Sequence, residues 1–174
     1  MRIRTGGPDD LIGVLGLLDG AVAWLASLGR TGQWGDQPWS SRPTAVERVR
    51  SYAGDADTFL LRIAEAEDGT VVGSCVLSEQ ATDYATVAGE RELYIRNLVT
   101  DRSRKGSGIG AALVADALEE ARRRGIALVR VDCYADGDRR LVGQYQKLGF
   151  TPTDAFEVAQ PNGPWRGQIL EIRI

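Results

Sequence analysis

Residues 104–125, RKGSGIGAALVADALEEARRRG, place three alternate glycines after two cations and directly before a run with helical apolar spacing. Glycine adopts positive φ angles at little steric cost and lets backbone N–H groups approach a ligand closely. The start of a helix adds positive potential there. The segment therefore predicts a tight turn at a helix N-terminus, and Arg104 and Lys105 favour a phosphate ligand over a turn that only packs helix against strand.

Two other phosphate-binding loops compete with this interpretation. A P-loop needs GxxxxGK followed by Ser or Thr, which the sequence lacks. The dinucleotide fingerprint fits better, because Gly106, Gly108 and Ala111 satisfy GxGxxA and Asp132 ends the next strand. Five residues intervene after Thr100, however, and too little chain remains for a doubly wound sheet. This alternative is disfavoured but stays open.

Apolar periodicity predicts an α/β (α+β) mixture whose sheet is mixed. The strand, helix and strand around residues 92–134 should form a parallel, right-handed unit. Asp68-Gly69 suits a type I′ hairpin turn, and Asp138 suits the N-cap of the last helix. The predicted strands are 1–7, two within 57–79, 90–100, 127–134 and 168–174; the predicted helices are 11–28, 44–54, 108–124 and 138–149, with a long loop or lid at 29–43.

Composition excludes several kinds of chemistry. The 174 residues suit one domain, 1–174, and 43% hydrophobic with 26% charged residues is ordinary for a globular protein. Histidine is absent, which excludes Ser-His and Cys-His nucleophile pairs and histidine-ligated metals. Cys75 and Cys133 are too few for a disulfide scaffold or a zinc site, so no metal is expected.

The net charge of −3 gives no general attraction to nucleic acid, so none is expected as a partner. A local basic spot on an acidic protein instead suggests a small anion. No stretch is expected to span a bilayer, no membrane partner is expected, and the cytoplasm is the default location. The residues that could form this basic spot are Arg102, Arg104, Lys105, Arg139 and Arg140.

Two segments in the same order and spacing resemble the GCN5-related N-acetyltransferases (GNAT family). NLVTDRSRKGSGIGAAL is similar to that family's strand, pyrophosphate loop and helix, and DGDRRLVGQYQKLGF to its next helix with a Tyr-x-x-x-Gly-Phe ending. The resemblance implies a GNAT-like fold, with a mixed, mostly antiparallel sheet, a splayed parallel strand pair and about four helices. Lys105 replaces the usual Gln or Arg, and Asp138 replaces the usual Asn.

The resemblance further implies acetyl-CoA as cofactor, with the backbone amides of residues 105–111 around its pyrophosphate. The splayed strands would leave backbone groups that pair with pantetheine, and an N–H near Val99 could stabilise the reacting oxygen. One of Arg102, Arg104, Arg139 and Arg140 is expected at the remaining phosphate. The implied cofactor site comprises Leu98, Val99, Thr100, Arg104, Lys105, Gly106, Ser107, Gly108, Ile109, Gly110, Ala111, Asp138 and Tyr145.

Tyr145 matches the family's general acid, which protonates the departing sulfur. Its place on the Leu141 and Leu148 stripe alone would favour a core residue, but the resemblance favours the catalytic role. The general base stays open between ordered water and a residue on a strand. Direct transfer is expected, although a cysteine acyl-enzyme is the alternative. The candidate bases or nucleophile are Glu79, Glu92, Asp132 and Cys133.

The acceptor is expected to be a primary amine of a small molecule, a metabolite or an antibiotic. Protein lysines or N-termini, and a non-catalytic acetyl-CoA sensor, are the alternatives. Trp34 and Trp39 stand in a polar loop, where they could line the acceptor pocket or anchor the loop to the core. Glu92 and Asp132 complete the candidate substrate residues, and the resemblance leaves a homodimer open.

Overall fold

The computed structural model describes residues 1–161 and 163–174. Three short 3₁₀ turns accompany the helices and strands, at Pro8–Asp10, Trp39–Ser41 and Arg102–Arg104. The helices are α1 (Leu11–Ser27), α2 (Pro43–Gly54), α3 (Ile109–Arg123) and α4 (Arg140–Lys147). The strands are β1 (Arg2–Thr5), β2 (Leu60–Glu65), β3 (Val71–Ser78), β4 (Glu92–Thr100), β5 (Leu128–Tyr134), β6 (Thr151–Val158) and β7 (Trp165–Arg173).

The strands form one mixed sheet in the order β1-β2-β3-β4-β5-β7-β6. β4 and β5 are parallel, whereas β1–β2, β2–β3, β5–β7 and β6–β7 are antiparallel. The registered pairing of β4 with β5 runs only from Glu92↔Leu128 to Ile95↔Val131, although β4 continues to Thr100. The mixed sheet and its parallel pair confirm the predicted fold class.

One strand was missed in the sequence prediction. β6 carries Pro152 and Asp154, and most of its residues are exposed, so it lacks the apolar alternation of a half-buried strand. It lies at the sheet edge, and its register with β7 shifts between Pro152 and Ala155. Proline is tolerated at such an edge or bulge because it has no N–H to donate.

The hairpin between β2 and β3 forms as predicted, but the type I′ turn was wrong. That turn needs two consecutive residues with positive φ, and here Gly69 has φ +83° while Asp68 does not. The N–H of Gly69 donates to the carbonyl of Ala66 at 3.1 Å. The hairpin therefore has a three-residue loop, a type I turn followed by a glycine in the left-handed region, in place of the two-residue type I′ turn.

The N-terminal half of the sheet belongs to a compact unit of residues 1–77 and 97–116. Gly73 lies so close to α3 that an added Cβ would meet Ile109 at 2.7 Å and Leu113 at 3.0 Å. Trp39 joins the buried core of this unit. The core also takes its apolar face from α1, through Val14, Leu17, Leu18, Ala21 and Val22.

Helix α1 belongs to the described segment that bears on the expectation that no stretch spans a bilayer. The segment Pro8–Ser27 is, by length and composition alone, apolar enough to cross a membrane. Its apolar residues are accounted for by packing, since one face of α1 lies in the buried core. A core helix passes the same test as a membrane span, and this segment is a core helix.

Residues 78–96 and 117–174 form a second compact unit. It contains the parallel pairing of β4 with β5, the strands β6 and β7, and a loop, residues 79–91, which joins β3 to β4. Arg96 donates to the carbonyl of Ala81 at 2.7 Å, and Arg130 donates to that of Thr86 at 2.8 Å. These bonds anchor the loop at two points.

The single domain expected from the chain length stays a prediction.

Candidate active site

The glycine turn has the conformation that its sequence predicts. Gly106 and Gly108 have φ of +84° and +79°, a region that residues with a Cβ rarely adopt. α3 begins at the next residue, Ile109, and the N–H of Ala112 donates to the carbonyl of Gly108 at 3.0 Å. The turn therefore leads directly into the N-terminus of a 15-residue helix.

The space in front of this turn is open. A Cβ built on Gly106 or Gly108 would meet no protein atom within 4 Å. The first N–H groups of a helix have no partner within the helix and carry partial positive charge. Open space bordered by such groups fits an anion such as a pyrophosphate. Gly110 differs, since its φ is not positive and its added Cβ would meet only Thr100, at an ordinary 3.9 Å.

The cations near the turn are not equivalent. The Arg102 guanidinium lies 3.8 Å from the centroid of the Trp24 ring, and burial lowers its pKa. Arg102 therefore packs the turn against α1. Arg104 Nε lies 3.4 Å from Asp101, whose carboxylate also accepts hydrogen bonds from Ser103, and the Arg104 side chain is half-exposed. Lys105 is exposed. Arg104 and Lys105 thus remain accessible to an anion.

A cavity of about 390 Å³ borders the turn on one side. Arg104, Ser107 and Ile109 line it, but so do Glu67 and Asp68. Two carboxylates disfavour a phosphate inside the cavity itself. The open space at the glycines therefore suits an anion better than the cavity does.

The start of α4 differs from the prediction. Asp138 is not the N-cap: that position is held by Arg139, which has a left-handed backbone with φ +50°. The Asp138 carboxylate instead accepts a hydrogen bond from the N–H of Arg140 at 3.1 Å. Arg139 Nη2 donates to the buried side chain of Gln168 at 2.7 Å, which explains how a non-glycine residue is held in this conformation.

Tyr145 lies on the buried face of α4. Its ring packs edge-on against Phe150, with centroids 5.6 Å apart, and Val142 is buried on the same helix. The ring thus has a packing role. A role for its hydroxyl in proton transfer stays a prediction.

Glu92 is committed to a buried ion pair. Its two carboxylate oxygens accept from Arg130 Nε at 2.5 Å and from Arg130 Nη2 at 2.8 Å, and both side chains are almost fully buried. Glu79 accepts from Arg91 and Arg124. The ion pairs with arginine account for both glutamates, and each carboxylate is poorly suited to accept a proton from a substrate.

Asp132 has a different environment. It follows Val131, the last residue of β5 in register with β4. Tyr94 donates to its Oδ2 at 2.6 Å and Tyr84 donates to its Oδ1 at 3.4 Å. Burial raises the pKa of Asp132, although its phenol partners and Arg96 oppose the shift. The carboxyl is therefore a stronger proton acceptor than an exposed aspartate.

The two cysteines are poor nucleophiles here. Burial and the neighbouring Asp132 raise the pKa of the Cys133 thiol to about 12. Cys75 is fully buried, and burial raises its pKa well above the usual range. The thiolate is the reactive form of cysteine, so neither residue suits a covalent acyl intermediate near neutral pH.

The tryptophan loop is anchored to the core of its own unit. Trp39 is buried, and Trp34 packs against it edge-on with ring centroids 5.7 Å apart. The sequence left two roles open for these tryptophans, lining the acceptor pocket or anchoring the loop. Their packing supports anchoring. A role in acceptor binding stays a prediction for Trp34, which is partly buried.

A cluster of four aromatic rings was not predicted. Tyr84 stacks on Phe156 with centroids 4.9 Å apart, and Trp165 lies 5.8 Å from Phe156 and 5.7 Å from Tyr134. The rings come from the 79–91 loop, β5, β6 and β7, so no single stretch of sequence shows a pattern. The glycine at position 167, between strand residues, was the sequence feature that could have indicated close packing at this point. In the structure a Cβ there would collide with Phe156 and Trp165.

The sequence pattern of the Acetyltransferase (GNAT) family matches residues 24–150, well over half of the chain. The chain belongs to this family. It is an N-acetyltransferase that uses acetyl-CoA, as the resemblance implied. The match covers the glycine turn, β5 and α4, and so confirms the family predicted from the two short motifs.

Solved structures with the same GNAT fold resemble the whole chain. They include a ribosomal-protein-alanine N-acetyltransferase from Brucella melitensis, with 22% identity, a TM-score of 0.69 and full coverage of both chains. The structure of yncA from Salmonella typhimurium, solved with its cofactor acetyl-CoA, has 20% identity, a TM-score of 0.68 and coverage of 99% and 92%. At these identities the likeness shows the fold alone. No curated protein matches the chain in sequence.

Proposed function

We propose that this GNAT enzyme transfers the acetyl group directly from acetyl-CoA to a primary amine of a small molecule. Acetyl-CoA supplies an acetyl group activated as a thioester. The observation that carries the proposal is the open glycine turn at the N-terminus of α3, where Gly106 and Gly108 have positive φ. The environments of the cysteines support direct transfer, because both thiols are held protonated.

The turn binds the pyrophosphate through N–H groups of residues 105–111, the region where the helix adds positive potential. Arg104 and Lys105 add charge at its edge. Leu98, Val99 and Thr100 follow the last β4 residue in register with β5, so their backbone groups are suited to pair with the pantetheine arm. A backbone N–H near Val99 stabilises negative charge on the acetyl oxygen.

Tyr145 donates its phenolic proton to the departing sulfur. A phenol has a reference pKa of about 10 and stays protonated at neutral pH, so it has a proton to give. Its ring is fixed by Phe150, which reduces the entropy lost in positioning the hydroxyl. Asp138 accepts a hydrogen bond from the first N–H of α4, the helix that carries Tyr145.

The acceptor is the finer part of the proposal. The similar structures are named for two kinds of acceptor. The Brucella melitensis protein is a ribosomal-protein-alanine N-acetyltransferase. Another, with 19% identity, a TM-score of 0.71 and coverage of 99% and 98%, is proposed to be a phosphinothricin N-acetyltransferase. A small molecule is favoured because the Asp132 carboxyl is partly buried and accepts a hydrogen bond from Tyr84 of the anchored 79–91 loop. A cytoplasmic location and a homodimer stay predictions.

The proposal is tested by release of free thiol from acetyl-CoA with three sets of acceptors: small primary amines, peptides with an N-terminal alanine, and peptides with an internal lysine. We expect kcat/KM for the best small amine to exceed that for either peptide at least tenfold. A preference for a peptide would replace the small-molecule acceptor with a protein.

A further inference from the structure

Among the described residues, Asp132 is a partly buried carboxylate that has phenol hydrogen bonds in place of an ion pair. The buried acidic residues Asp10, Glu65, Glu92 and Glu120 each form an ion pair with arginine, whereas the described residues include no arginine or lysine within ion-pair distance of Asp132. The pairs are Arg4 with Asp10, Arg2 and Arg4 with Glu65, Arg130 with Glu92, and Arg123 and Arg124 with Glu120.

Burying a carboxylate without a cation is costly, and phenol hydrogen bonds offset only part of that cost. Tyr94 and Tyr84 approach Asp132 from β4 and the 79–91 loop, respectively. Arg96 lowers the Asp132 pKa through space, while its Nη1 donates to the carbonyls of Gln80 and Ala81. From β7, the residue directly opposite is the apolar Ile169.

The aromatic cluster lies on the same sheet face as Asp132. Asp132 and Tyr134 are two residues apart on β5 and so point to one face. Tyr134 is opposite Gly167, which leaves room for the rings of Phe156 and Trp165. Tyr84 joins the two features, since its hydroxyl donates to Asp132 and its ring stacks on Phe156.

We propose that Asp132 and the rings of Tyr84, Tyr134, Phe156 and Trp165 bind the acceptor as a primary ammonium carried on an apolar or aromatic body. This inference rests on the proposed acetylation of a small amine and names its class. A carboxylate next to aromatic faces suits an ammonium, because the charge pairs with the carboxylate and the π faces attract the cation and its carbon atoms. Tyr84 is 43% exposed and the other three aromatic residues are partly exposed, so part of the cluster is accessible to a ligand.

Asp132 also accepts a proton in this scheme. The ammonium gives one proton to the carboxylate and becomes a neutral amine. The nitrogen lone pair forms the C–N bond, the C–S bond breaks, and the sulfur departs with its electron pair. Tyr145 gives its proton to the departing thiolate, and the second proton lost by the nitrogen restores the Tyr145 phenol. The proton on Asp132 passes to solvent, so one proton is released per turnover.

The test uses phenethylamine, butylamine and ethanolamine as acceptors for the full chain. We expect kcat/KM to fall in that order, with at least a tenfold difference between phenethylamine and ethanolamine. Asp132→Asn should lower kcat/KM for phenethylamine about 100-fold or more, the usual scale for loss of a general base, and remove the acidic limb of its pH profile. Calorimetry should give the variant an acetyl-CoA Kd within about twofold of wild type.

Asp83→Asn is the matched control, because it removes an exposed carboxylate from the same loop. It should leave kcat/KM unchanged. Equal losses in Asp83→Asn and Asp132→Asn would show a diffuse charge effect and overturn the inference. Tyr84→Ala should reduce the preference for phenethylamine, whereas Tyr84→Phe should retain it.

The outcomes separate this inference from the proposed function. Equal turnover of the three amines by wild type would overturn the inference while small-molecule acetylation stands. Turnover of peptides alone would overturn both. The wild-type amine preference needs no variant, so the inference remains open to refutation even if Asp132→Asn does not fold.

Discussion

The phenol of Tyr94 donates a 2.6 Å hydrogen bond to Oδ2 of Asp132, at the end of the parallel strand pair. Burial raises the pKa of Tyr94 above its usual range and also raises the pKa of Asp132. Tyr94 therefore remains a donor throughout the physiological range. Asp132, by contrast, is held as a carboxylate only at a cost in free energy.

That cost predicts a pH-dependent stability difference. A carboxyl with a raised folded-state pKa stabilises the fold below its unfolded pKa, and this contribution is lost as pH rises through the folded pKa. Asp132→Asn lacks the charge, so its free energy of unfolding should exceed that of wild type at pH 8. The difference should shrink as pH falls toward 4. Urea unfolding at both pH values measures it, with Asp83→Asn as control; a difference that grows on acidification would contradict the prediction.

The Glu92–Arg130 pair predicts a large loss of stability. Glu92→Gln leaves a buried guanidinium without its counter-charge, which typically costs about 3–5 kcal/mol. Glu47→Gln is the control, because Glu47 pairs with Arg50 on the surface, where such pairs contribute about 0–1 kcal/mol. Denaturant unfolding should separate the two variants clearly. Similar small losses would mean that Arg130 is not truly desolvated.

The glycine turn predicts a selective loss of cofactor affinity. Gly108→Val forces a β-branched residue to a φ of +79°, which costs roughly 1–2 kcal/mol and fills the open space before α3. Calorimetry should show acetyl-CoA binding at least 100-fold weaker. Gly125→Val, at φ +64° beyond the other end of α3, carries similar strain and should bind normally. Unchanged affinity in Gly108→Val would exclude this turn as the pyrophosphate site.

Tyr145→Phe separates proton transfer from packing. The variant keeps the ring contact with Phe150 and loses only the hydroxyl. We expect kcat to fall about 100-fold, within the usual range for a general acid, with little change in the KM for acetyl-CoA. Tyr52→Phe, in the core of the other unit, is the control and should keep full turnover. Parallel losses in kcat and affinity would assign Tyr145 to packing alone.

Local chemistry made much of the fold predictable. Apolar periodicity located the four helices of the described residues. The alternate glycines before α3 predicted a turn with positive φ angles, which Gly106 and Gly108 adopt. β6 was missed because an exposed edge strand containing Pro152 has no buried face to impose alternation. The turn at Gly69 differed because Asp68 keeps a negative φ and an extra loop residue completes the reversal.

The candidate site was less predictable because it depends on pairings between distant segments. The sequence suggested both Glu92 and Asp132, yet only the structure distinguishes them, through the arginine on one and the phenols on the other. Arg102 had the charge expected of a phosphate ligand, but its stacking on Trp24 depends on tertiary contact. The aromatic cluster around Gly167 likewise draws on four segments.

A crystal structure of the protein with acetyl-CoA would show directly whether the glycine turn holds the pyrophosphate. We expect pyrophosphate oxygens about 2.7–3.2 Å from backbone nitrogens of residues 105–111, next to Gly106 and Gly108. A nucleotide bound elsewhere, with this turn left unoccupied, would contradict this expectation.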